Sequence, residues 1–362
     1  MQNPLILGAG PAGCAAAIAL TRGGAQPLVI ERARETGDAL CGGFLSWQTL
    51  AQLNRLGVHN LGGHAVSQVR IFSGTRSASA RLPASGAGVS RYRLDTVMQR
   101  VVSEQGAGIE RGVTARSFAD GVLQCEGQSF TPASFFLATG KHELRGLARP
   151  KPTGDAPLGL RIRLAAHPSL TALVADSIEL HLFEGGYGGL LLQEDGSANL
   201  CMALRKSRLA QANGDPAKLM RQLGDAHPVL GERLAFLTAD LTTDAIAAVP
   251  YGWRAATTEA GVFRLGDQAA VIPSLAGEGL GIAIASGAMA ARAHLDGGPG
   301  AAPAYQKLFA RRTRRPVATA GFLWRQAEHP AAVRLALPIL NAFPALAGFA
   351  ARMTRIEGQN GD

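Results

Sequence analysis

The sequence lacks most of the signals that would direct a reading away from an ordinary soluble enzyme. Only four cysteines occur in 362 residues, Cys14, Cys41, Cys125 and Cys201, and none forms a C-x-x-C pair. That excludes a disulfide framework, gives no metal-ligand spacing, and makes a reducing, cytoplasmic setting the expectation. Aromatic residues are 6% of the chain, too few for a base-stacking platform. The formal net charge of +9, carried by scattered arginines, therefore does not imply nucleic acid. No uncharged apolar run reaches the roughly 18 residues of a spanning helix. The nearest, Leu335 to Ala351, is broken by Pro338, Asn341 and Pro344. Internal repeats, low-complexity tracts and a recognisable acid–base triad are absent as well.

What is abundant is glycine, 45 residues, in a chain that is 47% hydrophobic. At about 150 residues per domain, this composition suits two compact domains with many tight turns.

The apolar strand Leu5-Ile6-Leu7 runs straight into Gly8-Ala9-Gly10-Pro11-Ala12-Gly13 and then into the alanine-rich run Cys14 to Leu20. Strand, glycine turn and helix in this order form a dinucleotide-binding unit. Gly8 allows the tight turn, Gly10 lets a pyrophosphate approach the backbone, and Gly13 lets helix and strand pack closely, with the helix start attracting the phosphate. A second strand, Pro27 to Ile30, ends at Glu31 and Arg32, where the acid is placed to accept hydrogen bonds from a ribose.

Near the C-terminus, Val262-Phe-Arg-Leu-Gly266-Asp267-Gln268 leads through Pro273 to Gly277-Glu278-Gly279-Leu280-Gly281. This segment resembles that of the FAD-dependent superfamily of para-hydroxybenzoate hydroxylase-like monooxygenases, ubiquinone-biosynthesis hydroxylases and geranylgeranyl reductases. Two further segments resemble the same proteins: Arg91-Tyr92-Arg93-Leu94-Asp95, an arginine-led helix start, and Cys41-Gly42-Gly43-Phe44-Leu45-Ser46, similar to the cysteine-glycine loop of the reductases. The resemblance implies FAD as cofactor and NAD(P)H as electron donor. Asp267 would contact the ribityl chain, and Arg91 would lie near the phosphates. Gly279 to Gly281 would start a helix whose N–H groups face the pyrimidine side of the flavin and stabilise its reduced charge. The implied cofactor set is thus Gly8, Gly10, Ala12, Gly13, Glu31, Arg32, Cys41, Gly42, Arg91, Gly266, Asp267, Gly279, Leu280 and Gly281.

The expected architecture is α/β, of mixed α+β character. A Rossmann-like FAD-binding domain spans 1–65, 91–150 and 246–300, interrupted in sequence. An antiparallel-sheet substrate domain spans 66–90 and 151–245, and C-terminal helices span 301–362.

Two reactions suit the resemblance. One is hydroxylation of an apolar aromatic or polyketide-like small molecule. The other is reduction or dehydrogenation of a carbon–carbon bond, favoured by the Cys41 loop. A non-catalytic flavin redox sensor is a third reading. Where the aromatic hydroxylases carry Asp-Gly, this chain has Ala138-Thr139-Gly140-Lys141, and it shows no second nucleotide-binding glycine loop. Tyr187, His181 and Cys41 are the candidate catalytic residues, though such residues are more often satisfied strand residues or small packing groups. Pro250-Tyr251-Gly252-Trp253 would wall the pocket or pack in the core. The basic stretch Arg311 to Arg315 with the apolar segment after Leu335 reads either as a capping helix or as a peripheral membrane contact.

Overall fold

A computed structural model describes residues 3–238 and 241–356. Residues 1–2, 239–240 and 357–362 of the spans expected above lie outside the described part.

From the N-terminus the chain forms β1 (Leu5–Leu7), α1 (Pro11–Arg22), β2 (Leu28–Glu31), β3 (Phe44–Leu45), α2 (Trp47–Arg55), β4 (His64–Ser73), β5 (Arg76–Gly88) and α3 (Arg91–Glu104). Then follow β6 (Gly108–Arg111), β7 (Ala115–Ala119), β8 (Val122–Cys125), β9 (Ser129–Phe130), β10 (Phe135–Leu137) and β11 (Pro157–Leu164). Next come α4 (Pro168–Val174), β12 (Ser177–Phe183), β13 (Gly186–Leu192), β14 (Ala198–Arg205), α5 (Lys206–Gln211), α6 (Pro216–Ala226), α7 (Pro228–Leu234) and β15 (Thr243–Ala247). The last elements are β16 (Val262–Arg264), α8 (Gly279–Gly297), α9 (Ala302–Ala327), α10 (Pro330–Ala342) and α11 (Ala345–Met353).

The first sheet has the order β16-β10-β1-β2-β6, with every junction parallel. Its central strands are short apolar runs buried on both faces, as a parallel sheet covered by helices requires. Strand order reverses between β1 and β10, and a ligand crevice opens beyond the carboxyl ends of strands at such a point. A small antiparallel sheet, β7-β8-β9, lies on the connection to β10.

The second sheet has the order β15-β11-β14-β13-β12-β4-β5-β3. Its junctions are antiparallel except for β12 with β4, which is parallel, so the sheet expected to be antiparallel is in fact mixed. The exception arises because β4 and β5 come from the early hairpin at 64–88, whereas β12 enters after α4. One face of this sheet is apolar, with Leu160, Leu190, Leu200 and Met202 packed under α6 and α7. The other face looks toward the parallel sheet and its loops.

Candidate functional site

Gly8 has φ +108°, and a Cβ there would lie 2.5 Å from the Ala138 carbonyl oxygen on β10. A Cβ on Gly13 would come 1.9 Å from the Gly8 carbonyl oxygen. The sequence therefore needs glycine at both positions so that α1 can start directly on the strand ends. Gly10 is the N-cap of α1 and provides no side-chain cap, leaving the first amides of the helix open to an anion. A Cβ on Gly10 would lie 3.5 Å from the Arg91 guanidinium.

Arg91 brings the separate segments together. It makes a two-pronged ion pair with Asp95, Nε–Oδ1 at 3.0 Å and Nη2–Oδ2 at 2.7 Å. Burial pulls its pKa down, but Asp95 outweighs burial and raises it, with Cys41 and Asp267 close enough to add to the effect. The guanidinium is thus a permanent cation beside the glycine loop, in the field of both distant segments.

Glu31 accepts from the Ala9 amide at 2.8 Å and the Ala33 amide at 2.9 Å, so the acid that ends β2 also braces the loop. Arg32 is exposed, with Nη2 3.4 Å from His142. On the opposite side, Gly266 has φ +55° and donates its amide to Ser286 Oγ at 2.7 Å. A Cβ on Gly266 would meet Ala12 at 3.3 Å, which packs this turn against α1. The Asp267 carbonyl accepts from Arg149 at 3.0 Å, and its carboxylate makes no hydrogen bond among the described residues. Gln268 donates to the carbonyls of Gly140 and His142 at 2.9 and 3.0 Å, tying the loop to the end of β10. Arg149 and Gln268 were missed by sequence reasoning; each acts through a carbonyl, which leaves no motif.

These residues suit FAD. Gly42 and Gly279 border open space, an open helix start at Gly10 with the Arg91 cation beside it faces where a pyrophosphate would lie, and Asp267 presents an unused carboxylate. The Cys41–Gly43 loop is held by Asn199, whose Nδ2 donates to the carbonyls of Cys41 and Gly42 at 2.8 and 2.9 Å. Cys41 Sγ accepts from the Gly43 amide at 3.5 Å, a local contact that defines a turn.

Alternation along the second sheet separates the two other candidates. Tyr187 pairs with Ala203 and Leu182, and His181 pairs with Gly188, so they point to opposite faces. His181 lies on the helix-covered side, stacked on Phe72 at 5.1 Å and 3.0 Å from Glu179 Oε2. Burial, then Arg233 and Arg70, push its pKa down to about 3, so its contact with Glu179 is a hydrogen bond of a neutral ring and not an ion pair. The structure does not bring His181 to the site.

Tyr187 is brought there. Its hydroxyl is 2.5 Å from Ser274 Oγ, which is 2.9 Å from the Tyr251 hydroxyl. Ser274 stands on the loop between Asp267 and α8, so this hydroxyl chain joins sheet and cofactor loop. Apolar groups surround it: Leu182, Ala203, Leu275, Trp324, Val333 and Leu337. Burial raises both tyrosine pKa values well above the ordinary range, keeping both phenols protonated. The Tyr251 ring meets Trp324 of α9 edge-on at 5.4 Å.

Leu280 is buried at the start of α8, and beneath it Glu278 folds back under Gly281, where a Cβ would lie 2.4 Å from its Oε1. Glu278 Oε2 accepts from Arg355 Nη1 at 2.8 Å and Ser46 Oγ at 3.2 Å, while Oε1 has no hydrogen-bond partner among the described residues. Burial pushes its pKa up to about 7, with Arg355 opposing. Arg355 also sits over the Trp47 ring at 5.2 Å, so the chain's last described turn is plugged in beneath the cofactor loop.

Comparison with known proteins agrees with this geometry. Residues 2–123 match the family described as FAD binding domain. A menaquinone reductase of Mycolicibacterium smegmatis is 25% identical over 321 residues, covering 81% of this chain and 76% of that protein. Pseudomonas aeruginosa PqsL in complex with 2-aminobenzoylacetate shares the fold with a TM-score of 0.75 at 17% identity, over 91% of this chain and 98% of that one. A geranylgeranyl bacteriochlorophyll reductase-like protein of Thermoplasma acidophilum shares it with a TM-score of 0.72 at 18% identity, over 98% and 93%. Residues 2–123 thus resemble an FAD binding domain, and the chain as a whole has the fold of these solved structures. The match over the N-terminal third supports FAD as the cofactor.

Proposed function

We propose that the protein is a monooxygenase that hydroxylates an apolar aromatic or polyketide-like small molecule, with NAD(P)H as electron donor. The observation that carries this reading is the hydroxyl chain Tyr187, Ser274 and Tyr251, set in an apolar wall beside the cofactor loop. When bound, FAD supplies the redox chemistry. The chain's own residues bind and orient the substrate and keep water away. A substrate hydroxyl docked on Tyr187 would be aligned by a charge-neutral donor. Ser274 and Tyr251 would hold the Tyr187 hydroxyl in that orientation through their own hydrogen bonds. The apolar groups around the chain strengthen these hydrogen bonds by excluding solvent. PqsL, which shares the fold, binds the small aromatic molecule 2-aminobenzoylacetate, and that supports the substrate class.

A second reading, reduction of a carbon–carbon double bond, is favoured by the Cys41 loop pinned by Asn199 and by the likeness to a menaquinone reductase along most of the chain. Tyr187 would then donate the proton that completes saturation. One experiment separates the readings. FAD-loaded protein is given NAD(P)H and a panel of phenolic and polyprenyl substrates, with and without oxygen, and the products are weighed. Hydroxylation predicts an oxygen-dependent product heavier by one oxygen atom. A product heavier by two hydrogens that forms without oxygen overturns it in favour of reduction. Absence of substrate-dependent NAD(P)H consumption throughout overturns both and favours a flavin sensor.

A further inference from the structure

The net charge of the chain is concentrated in one segment. Between Gly297 and Ile356 there are nine lysines and arginines and one acid, so this stretch carries almost all of the overall +9. The single acid, Glu328, is buried and paired with Arg205 at 2.7 Å. Arg311, Arg314, Arg315, Arg325, Arg334 and Arg352 are exposed.

The same segment holds most of the exposed large apolar side chains. Among the described residues, Phe322, Leu335, Ile339, Phe343, Leu346 and Phe349 are all exposed, with Leu335 at 72% and Phe343 at 63%. On α10 the spacing is regular. Leu335 and Ile339 lie one turn apart on the outer face, with Phe343 one turn further on, while Val333 and Leu337 occupy the opposite face and are buried. A helix with apolar residues on both faces has one face covered by its own protein and another prepared for something else.

No single helix is long and apolar enough to cross a membrane among the described residues, and α10 and α11 bend by 113° where they meet at Phe343 and Pro344. The pair is also fastened to the body. Asn341 donates to the Ser77 carbonyl at 2.8 Å, and a Cβ on Gly348 would come within 4.0 Å of Pro83. A bent, anchored pair with an exposed apolar face and arginine flanks has the character of an element that lies in a bilayer interface. The positive flanks fit the negative surface potential of anionic lipid.

We infer that α10 and α11 dock this protein on an anionic membrane surface. Leu335, Ile339, Phe343, Leu346 and Phe349 enter the acyl boundary, and the neighbouring arginines meet the headgroups. The inner face of the same helix, through Val333 and Leu337, closes over Tyr187. Docking would therefore bring the bilayer within one helix diameter of the hydroxyl chain and give a lipid-dissolved substrate a short path to it. The docking holds whether the reaction is oxygenation or reduction, and its test does not use turnover.

FAD-loaded protein is sedimented with vesicles of phosphatidylcholine alone or with one third phosphatidylglycerol, at low and high salt. Binding is expected to be at least tenfold tighter to the anionic vesicles and to weaken with salt. Leu335→Ser combined with Phe343→Ser and Phe349→Ser should lose at least tenfold in binding while keeping the flavin spectrum and melting temperature. Arg311→Gln with Arg314→Gln should lose the salt dependence without touching the apolar face. Wild-type protein that stays in the supernatant with anionic vesicles overturns the inference, as does a triple variant that binds like wild type. A concentration-dependent dimer that disappears in the triple variant, without vesicle binding, overturns it in favour of a second copy as occupant.

Discussion

Glu179 and Glu278 are both sealed from water, yet their surroundings differ in the way that separates scaffold from site. Glu179, in the middle of β12, is fully engaged. Arg70 reaches it from β4, Arg233 from α7 binds both oxygens at 3.1 Å, and His181 donates from two residues along. Glu278 has one cation, Arg355, and beneath the start of α8 an oxygen with no hydrogen-bond partner among the described residues. A buried charge whose bonds are all made holds elements in register. One left partly unsatisfied beside a ligand loop is where a structure retains freedom to respond.

The largest test of this contrast is Glu179→Ala. It takes from Arg70 and Arg233 their shared buried carboxylate, leaving Arg233, whose side chain is 5% exposed, with Glu232 as its carboxylate partner, and should cost about 3–5 kcal/mol in chemical denaturation. Flavin binding by the surviving folded protein should be unchanged. If Glu278→Ala proves the more destabilising of the two, the distinction between scaffold and site carboxylate fails.

A sharper test uses pH. Burial raises Glu278 from 4.5 to about 7, so the folded protein holds this proton more tightly than the unfolded chain. The unfolded chain ionises first as pH rises, and stability from this group is full below 4.5 and falls until about pH 7. Glu278→Gln should remove that slope, which at about 1.4 kcal/mol per unit is on the order of 3–4 kcal/mol across the window. The check is the difference between the wild-type and variant stability curves at pH 4.5 to 7.5. A flat difference would mean that Arg355 keeps Glu278 ionised throughout.

The cofactor half of this picture was legible in the sequence because its residues act through local backbone constraints. Gly8, Gly10 and Gly13 are spaced by one turn of chain, and the strand before them is a plain apolar run. Asp267 and Arg91 were legible only by resemblance, yet the structure brings them into one electrostatic field. The other half was not legible. Ser274 bonds to Tyr187 across 87 residues, and Glu278 to Arg355 across 77, so no window of sequence contains either pair. His181 and Tyr187 looked equivalent because an alternating strand gives two faces without saying which one meets the site. The membrane-facing reading of the C-terminal segment rested on composition, and which residues of α10 face outward emerged only from packing.

The next effect in size concerns Tyr187. Tyr187→Phe removes the first hydroxyl of the chain and leaves the ring in its apolar setting. It should lower kcat/KM by roughly ten- to hundredfold, about 1.4–2.7 kcal/mol of transition-state stabilisation. Melting temperature should stay close to wild type, and flavin content should be unaffected. A variant that keeps full turnover would remove Tyr187 from the site and leave the hydroxyl chain as packing.

The smallest effect is expected one strand away. His181→Phe keeps the stack on Phe72 and loses one hydrogen bond to Glu179, which is still held by two arginines. The cost at neutral pH should be about 1 kcal/mol, with turnover unchanged. The pH dependence is opposite in sign to that of Glu278. Because burial lowers the His181 pKa from 6.5 to about 3, the unfolded chain takes up this proton first as pH falls. Wild type therefore loses stability from pH 6.5 downward, and the variant does not. The two denaturation curves should converge on the acid side and then cross, so that a variant weaker at pH 7 becomes the more stable protein near pH 4. Parallel curves would show that His181 is protonated in the folded state, turning its contact with Glu179 into an ion pair and the cluster around β12 into a pH-sensitive element.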